Sequence, residues 1–198
     1  MAIVDTLIGS YNLFHMANRY RIKQGISNEE LFTIDLVALD KAPHVYSPFV
    51  SITPTKSIDQ VTKTDLIIVP GVVGDMKEQI ALNYPLINWM KEQRIGNHAE
   101  IASLCRGAFL LAETGLMYGK ACATHWLTHD TFREMFPQVE LAPDKVICED
   151  NGIYSSGGAY SFLNLLLHLV KNIMVARLPS GVLKYLRSSS IVLIKISL

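Results

Sequence analysis

Apolar positions along the chain alternate between the spacing of helices and that of buried strands. Apolar residues three and four apart predict helices over residues 3–20, 76–94, 109–113 and 159–170. Short β-branched and apolar runs predict buried strands over 31–39, 65–69 and 121–124, and a further strand from Ala99 to Cys105. Residues 44–55 predict an exposed hairpin or loop, and Asn151-Gly152 predicts the turn of a hairpin formed by 146–148 and 153–155. Strands that alternate with helices favour a doubly wound, mostly parallel α/β sheet.

One cysteine, Cys105, stands where a predicted strand passes directly into a predicted helix. A side chain on so sharp a turn is pushed out of the sheet, and Gly107 lets the backbone pass close by. The first amides of the helix would then point at the sulfur and favour its thiolate. The alternative is a cysteine that is simply buried in an apolar run.

His125 directly follows the next predicted strand, so we expect it beside Cys105 at the carboxyl ends of two neighbouring parallel strands. An imidazole there can form an ion pair with the thiolate or act as a general base. Alternatively, it satisfies backbone groups of its own loop. Trp126 is expected to form a wall of the pocket. Pro70-Gly71 ends another predicted strand, and glycine there lets backbone amides face a bound group.

Composition excludes several classes of protein. The 198 residues suit one domain with a sizeable core, and the formal net charge of zero gives no electrostatic reason for direct contact with nucleic acid. Cys105, Cys122 and Cys148 have neither the close spacing of a zinc site nor the even count of a disulfide framework. We therefore expect a cytoplasmic protein without a metal or other cofactor. The sequence has no signal-peptide pattern and no apolar run of about 20 residues, so neither secretion nor a membrane span is expected.

Five segments together resemble one known superfamily. They are IIVPG at 67–71, SLCRG around Cys105, G-x-x-x-G-K at 115–120, THW at 124–126 and SSGGAYSFLNLLLHLV at 155–170. In this order they resemble the ThiJ/PfpI superfamily, whose fold is like that of class I glutamine amidotransferases. Within it, the chain is most similar to the amidotransferase-like sensing domain of AraC-type transcription regulators.

The resemblance implies a flavodoxin-like fold and a ligand site near the cysteine. The site residues that it implies are Gly71, Val72, Cys105, Arg106, Gly107, His125 and Trp126, with Cys105 and His125 as the candidate catalytic residues. In many catalytic members, a strand before the first helix carries an acidic residue that faces the cysteine. Here the first predicted element is a helix, and Asp5 within it is not a convincing substitute. Val72 replaces a second glycine of the family pattern, and Asn164 stands where the regulators usually have aspartate.

These departures favour a domain that senses a small-molecule ligand near Cys105 without turning it over. The alternative is a cysteine-dependent enzyme similar to isonitrile hydratases, in which the sulfur attacks an electrophilic carbon. PfpI-like peptidases have a histidine directly after the cysteine, whereas Arg106 cannot act as a base at neutral pH, so peptidase activity is disfavoured.

The last residues of the chain differ from the rest. We predict a single sensing domain over residues 1–172 and an atypical tail over 173–198, because the resemblance ends near Lys171 and no acidic residue follows Asp150. Codons permitted from Lys171 onward can encode regulator-like sequence in a shifted frame, so we expect an interrupted reading frame that lacks the DNA-binding domain. A sheet without its first strand would expose apolar surface and unpaired edges, which favours a homodimer.

Overall fold

The computed structural model describes residues 2–158, 160–176 and 189–194. The helices are α1 (Val4–Lys23), α2 (Met76–Leu82), α3 (Tyr84–Asn97), α4 (Ala108–Glu113), α5 (His129–Met135) and α6 (Phe162–Ala176). The strands are β1 (Phe32–Ala38), β2 (His44–Ser47), β3 (Val50–Ile52), β4 (Lys56–Ser57), β5 (Leu66–Val69), β6 (Glu100–Leu104), β7 (Ala121–Cys122), β8 (Glu140–Leu141), β9 (Ile147–Asp150), β10 (Ile153–Ser156) and β11 (Ser189–Ile194). Among these described residues, no helix is long and apolar enough to cross a membrane.

Seven strands form the main sheet, in the order β4, β1, β11, β5, β6, β10, β9. Neighbouring strands are parallel except β9 and β10, which form an antiparallel hairpin. Asn151 and Gly152 at its turn have φ values of 45° and 72°, as the Asn-Gly signal predicts. Helices cover both faces of the sheet. The predicted doubly wound, mostly parallel α/β fold is thereby confirmed.

The strand β5 illustrates why this sheet is buried on both sides. Ile67 and Val69 lie in the apolar cluster that includes α2, α3 and α4, whereas Leu66 and Ile68 lie in the cluster that includes α1 and α6. Alternate side chains of a strand point to opposite faces, so a continuous apolar run is needed to fill both layers.

The centre of the sheet holds an element that the sequence does not predict. β11 lies between β1 and β5 and is parallel to both. The expectation of a sheet that lacks an internal strand is therefore wrong, because residues from the predicted tail fill that position. The helix α6 also continues past residue 172 to Ala176. Residues 177–188 and 195–198 of the predicted tail lie outside the described residues, and the interrupted reading frame stays a prediction.

Two further expectations are corrected. The helix predicted over 76–94 is divided into α2 and α3 at Asn83. Pro85 lies in the first turn of α3, and a proline inside one continuous helix would remove a backbone hydrogen bond and clash with the preceding turn. The predicted strand 121–124 is not next to β6 in the main sheet. Only β7 forms there, it pairs with β8, and β10 takes the position beside β6.

Candidate functional site

Cys105 occupies a strand-to-helix elbow, as the sequence predicts. It follows β6, opens a single 3-10 turn and has φ of +55°, which an L side chain rarely adopts. Gly107 in the same turn lies against the end of β5. A Cβ atom at Gly107 would stand 2.5 Å from the Pro70 carbonyl oxygen and 2.7 Å from that of Val69. The elbow therefore depends on a glycine at this position.

Cys105 lines a small cavity of about 170 Å³. The described residues that line it are Ile3, Asp5, Thr6, Cys105, His125, Tyr160 and Phe162. The structure thus brings together the two residues that the sequence singles out for chemistry, Cys105 and His125. A hydrogen bond of 3.1 Å from the Thr124 hydroxyl to the Cys105 carbonyl oxygen ties the His125 loop to the elbow.

The chain before α1 closes one side of this cavity by pairing with the loop after β5. Ala2 and Val72 form an antiparallel bridge, and the Ile3 amide donates to the Gly71 carbonyl oxygen at 2.7 Å. The Thr6 hydroxyl donates to the Ile3 carbonyl oxygen at 2.7 Å and accepts from the Gly71 amide at 3.0 Å. The Gly71 amide, which the sequence analysis expects to face a bound group, is therefore engaged within the fold.

Asp5 is the residue that sequence reasoning undervalued. It lies in the first turn of α1 and lines the cavity with Cys105, although it is not on a strand. No local signal marks it, because its position depends on the bridge between Ala2 and Val72, which are far apart in sequence. Tyr160, which precedes α6, and Phe162, the first residue of α6, also line the cavity.

The electrostatic surroundings favour a neutral thiol. Burial raises the pKa of Cys105 above the usual range, while a hydrogen bond from the Arg106 amide and the charge of the Arg106 guanidinium oppose this shift. The pKa of His125 is lowered by desolvation and then by the charges of Arg106 and His129. The raised pKa of the Cys105 thiol and the lowered pKa of the His125 imidazole both favour the neutral groups over an ion pair at neutral pH.

The tautomer of His125 follows from one contact. Its Nδ1 atom accepts a hydrogen bond of 3.2 Å from the Leu127 amide. A neutral imidazole whose Nδ1 is an acceptor carries its proton on Nε2. Nε2 is then a donor, so His125 cannot take the Cys105 proton in this state. The ring also stacks on Trp126, with ring centres 5.8 Å apart.

The other residues of the predicted site are not among the described residues that line this cavity. Val72 is fully buried, and the Arg106 guanidinium donates to the Gly74 carbonyl oxygen at 2.8 Å. Trp126 is 65% exposed and borders a second shallow cavity of about 210 Å³ with Thr124 and His129. Ligand binding by Gly71, Val72, Arg106, Gly107 and Trp126 stays a prediction.

The cysteines are free thiols, and all three are buried. Burial raises the pKa of Cys122 to about 12 and also raises that of Cys148. Within residues 2–158, 160–176 and 189–194, no group of three or more histidine, cysteine or acidic side chains is arranged to hold a metal ion.

A cysteine elbow at the carboxyl edge of a parallel sheet defines a class, the flavodoxin-like α/β domains with a nucleophile-elbow cysteine. Comparison with known families identifies the family within this class. The profile of the DJ-1/PfpI family matches residues 21–172, and the chain belongs to this family.

Several relatives are transcription regulators. The HTH-type transcriptional regulator GbdR of Pseudomonas aeruginosa is 26% identical over 167 residues, which cover 83% of this chain and 44% of the regulator. This chain thus spans less than half the length of that relative. Isonitrile hydratase of Pseudomonas putida is 25% identical over 146 residues, covering 71% of this chain and 59% of the hydratase. An AraC family transcriptional regulator from Pseudomonas putida has a similar fold, with a TM-score of 0.69 at 18% identity over 87% of this chain and 86% of that chain.

Proposed function

We propose that this chain is the ligand-sensing, amidotransferase-like domain of an AraC-type transcription regulator and that it does not turn its ligand over. The observation that carries the proposal is the hydrogen bond from the Gly71 amide to the Thr6 hydroxyl, at 3.0 Å beside the Cys105 cavity. A cysteine enzyme of acyl-transfer type needs free amides to hold a developing oxyanion. Here the Gly71 amide, which the sequence analysis expects to face a bound group, is already used by the fold.

The state of His125 supports the same proposal. A cysteine nucleophile needs a base that removes its proton, or a depressed pKa. The Cys105 pKa is raised, and the His125 Nδ1 atom already accepts from the Leu127 amide. The pocket thus has a nucleophile-type elbow at Cys105, while the Gly71 amide and the His125 imidazole make hydrogen bonds within the fold.

The ligand of this proposal is a small molecule. The cavity of about 170 Å³ is well below the roughly 300 Å³ at which pockets for drug-sized ligands begin. The polar residues of its described lining are Asp5, Thr6, Cys105, His125 and Tyr160. We also propose a cytoplasmic homodimer, in which this domain does not itself contact nucleic acid.

A second candidate is a cysteine-dependent enzyme similar to isonitrile hydratase. The observation that favours it is Asp5, because a carboxylate in the cavity with Cys105 can serve as an acid or a base. Such an enzyme would need the thiol to lose its proton to Asp5 before attack on the isonitrile carbon.

Turnover and binding assays separate the two candidates. Purified protein is incubated with cyclohexyl isocyanide, acetamide and a casein-derived peptide, each compared with the Cys105→Ala variant. The sensor proposal expects no product above that of the variant. Product that disappears in Cys105→Ala, and also in Asp5→Asn, would establish the enzyme instead.

Binding is measured separately, as the shift in melting temperature caused by acetamide, glycinamide and ethylamine. At least one of these probes is expected to stabilise the protein, because it fits the cavity, and Asp5→Asn and His125→Gln should reduce that shift. Asp59→Asn, at an exposed aspartate remote from the cavity, is the matched control and should retain it. A shift that Asp5→Asn and Asp59→Asn change equally would exclude binding in this cavity.

A further inference from the structure

A second cavity lies at the edge of the sheet opposite Cys105. It is lined by Leu66 and Glu100, the first residues of β5 and β6, whereas Cys105 follows the last residue of β6. Its volume is about 490 Å³, more than twice that of the cavity that Cys105 lines. Pockets for small molecules begin at roughly 300 Å³, so this cavity has the size of a ligand site.

Part of the lining is an apolar wall formed by Leu66 of β5 with Leu169 and Ile173 of α6. Leu66 and Leu169 are each 1% exposed, and Ile173 packs against the apolar cluster to which both belong. These side chains stand on a central strand and a long helix, so the wall is already formed before any ligand arrives. The apolar body of a ligand placed against it would be removed from water.

Glu100 supplies a half-buried carboxylate to the same cavity. The Tyr154 hydroxyl donates to it at 3.1 Å, and burial together with the Glu100 charge raises the pKa of Tyr154, so the phenol keeps its proton. Among the described residues Glu100 makes no ion pair. The nearby Arg94 guanidinium donates instead to the carbonyl oxygens of Ala99 and Asn151. A carboxylate has about four acceptor positions, so Glu100 can accept further hydrogen bonds from a ligand.

The remaining charges of the described lining favour a ligand with a single positive charge. Lys63 and Asp65 also line the cavity, and both residues are exposed. Their formal charges are opposite, so Glu100 leaves the described lining with a net negative charge. A second positive charge on the ligand would meet repulsion from Lys63, because like charges in one cavity oppose each other.

We propose that this cavity binds a small monoamine, whose ammonium group contacts the Glu100 carboxylate and whose apolar body lies against the apolar wall. The ammonium group donates hydrogen bonds to a carboxylate that has no cationic partner among the described residues. This site is separate from the Cys105 cavity, and the proposal does not rest on the sensing function.

Three probes with the same six-carbon chain test the charge preference. The full-length, ¹⁵N-labelled protein is titrated with hexylamine, hexan-1-ol and hexanoate at pH 7 and followed by amide NMR shifts. Hexylamine should bind with a Kd of about 1 mM or tighter and should shift the amides of Leu66, Glu100 and Tyr154 most. Hexan-1-ol should bind at least about fivefold more weakly, and hexanoate more weakly still. Butylamine should also bind more weakly than hexylamine, by roughly threefold for each methylene group removed from the apolar wall.

A pair of matched variants tests the role of the carboxylate. Glu100→Gln retains an acceptor for the Tyr154 hydroxyl but removes the charge, so it should weaken hexylamine binding about tenfold and leave hexan-1-ol binding unchanged. Glu140→Gln, at the exposed first residue of β8 and outside the described lining of the cavity, should retain hexylamine binding.

The proposal is overturned if the three six-carbon probes bind equally, or if hexanoate binds most tightly. It also fails if the amide shifts cluster around Cys105 instead of Glu100, or if Glu100→Gln and Glu140→Gln change hexylamine binding equally. If Glu100→Gln does not fold, the probe series and the shift map of the unchanged protein decide the question by themselves.

Discussion

At the scale of single residues, one arginine acts on both candidate chemical groups. The Arg106 charge lowers the pKa of Cys105 and also that of His125. It therefore favours a thiolate and a neutral imidazole at once. Burial opposes the thiolate and is the larger effect at Cys105, so the net direction there is upward. A change at Arg106 should move both groups in the same direction.

The first prediction concerns the reactivity of the thiols. Iodoacetamide followed by peptide mapping should label Cys105 before Cys122 and Cys148, because of the three cysteines only Cys105 lies at a strand-to-helix elbow and lines this cavity. Its labelling rate should rise with pH, with a midpoint above the roughly 8.5 of an ordinary cysteine. Arg106→Gln should raise that midpoint further, whereas Arg19→Gln, at an exposed arginine on α1, should leave it unchanged. Earlier labelling of Cys122 or Cys148 would contradict the site assignment.

The second prediction concerns the protonation of His125. Its pKa is lowered, so its NMR titration midpoint should fall below the usual value of about 6.5, with the ring uncharged at pH 7. The folded state then binds fewer protons than the unfolded state just below that pH, so the free energy of unfolding should decrease as the pH falls through this window. Arg106→Gln should raise the midpoint because it removes a repelling charge. A midpoint above that of the denatured protein would show that an ion pair forms after all.

At the scale of elements, the elbow is held by the close approach of two strand ends. The turn after β6 passes the end of β5 so closely that only a hydrogen atom fits at Gly107. The same loop after β5 is then fixed from the other side by the chain before α1, through Ile3 and Thr6. The cavity beside Cys105 is lined by residues of the start of α1, the elbow, the His125 loop and the start of α6, and the loop after β5 holds the first two of these segments together.

The third prediction tests this close approach. Gly107→Ala should lower the free energy of unfolding by about 2–3 kcal/mol, because the new methyl group would overlap two backbone carbonyl oxygens that cannot move aside easily. Gly96→Ala is the matched control in α3, where a Cβ atom meets nothing within 4 Å. It should cause no loss and a gain of up to about 1 kcal/mol. Urea denaturation measures both, and equal effects would mean that the elbow is not packed against β5.

At the scale of the whole molecule, the sheet is completed by a strand from the far end of the described chain. β11 separates β1 from β5 and contributes to the apolar layers on both faces. Among the described strands, β1 and β4 are joined to the rest of the sheet only through β11. This makes the stability of the molecule depend on residues that the sequence analysis assigns to a tail.

The fourth prediction measures that dependence. Leu193→Ala should lower the free energy of unfolding by roughly 2–5 kcal/mol, because Leu193 is 2% exposed at the centre of the sheet. Leu167→Ala, at a leucine of α6 that is 54% exposed, should cost much less. Chemical denaturation of both variants provides the comparison. Similar losses would show that β11 is not bound in the sheet.

The sequence by itself determined the features that depend on neighbouring residues. Periodicity identified most helices and strands, and the Asn151-Gly152 pair identified a hairpin turn because both positions tolerate positive φ. The run from strand to Cys105 to helix identified the elbow, since the glycine two residues later is the mark of a tight backbone approach. The division between α2 and α3 was also within reach, because Pro85 is a local signal.

Only the tertiary structure decided the contacts between distant segments. The bridge from Ala2 to Val72 brings Asp5 to the cavity and occupies the Gly71 amide through Thr6, and neither contact leaves a local pattern in the sequence. The position of β11 is likewise decided by contacts between segments that are distant in the sequence. A short apolar run predicts a buried strand. Its neighbours in the sheet are selected by the pairing of backbone groups between strands. For β11, those neighbours are β1 and β5, which lie more than a hundred residues away in the chain.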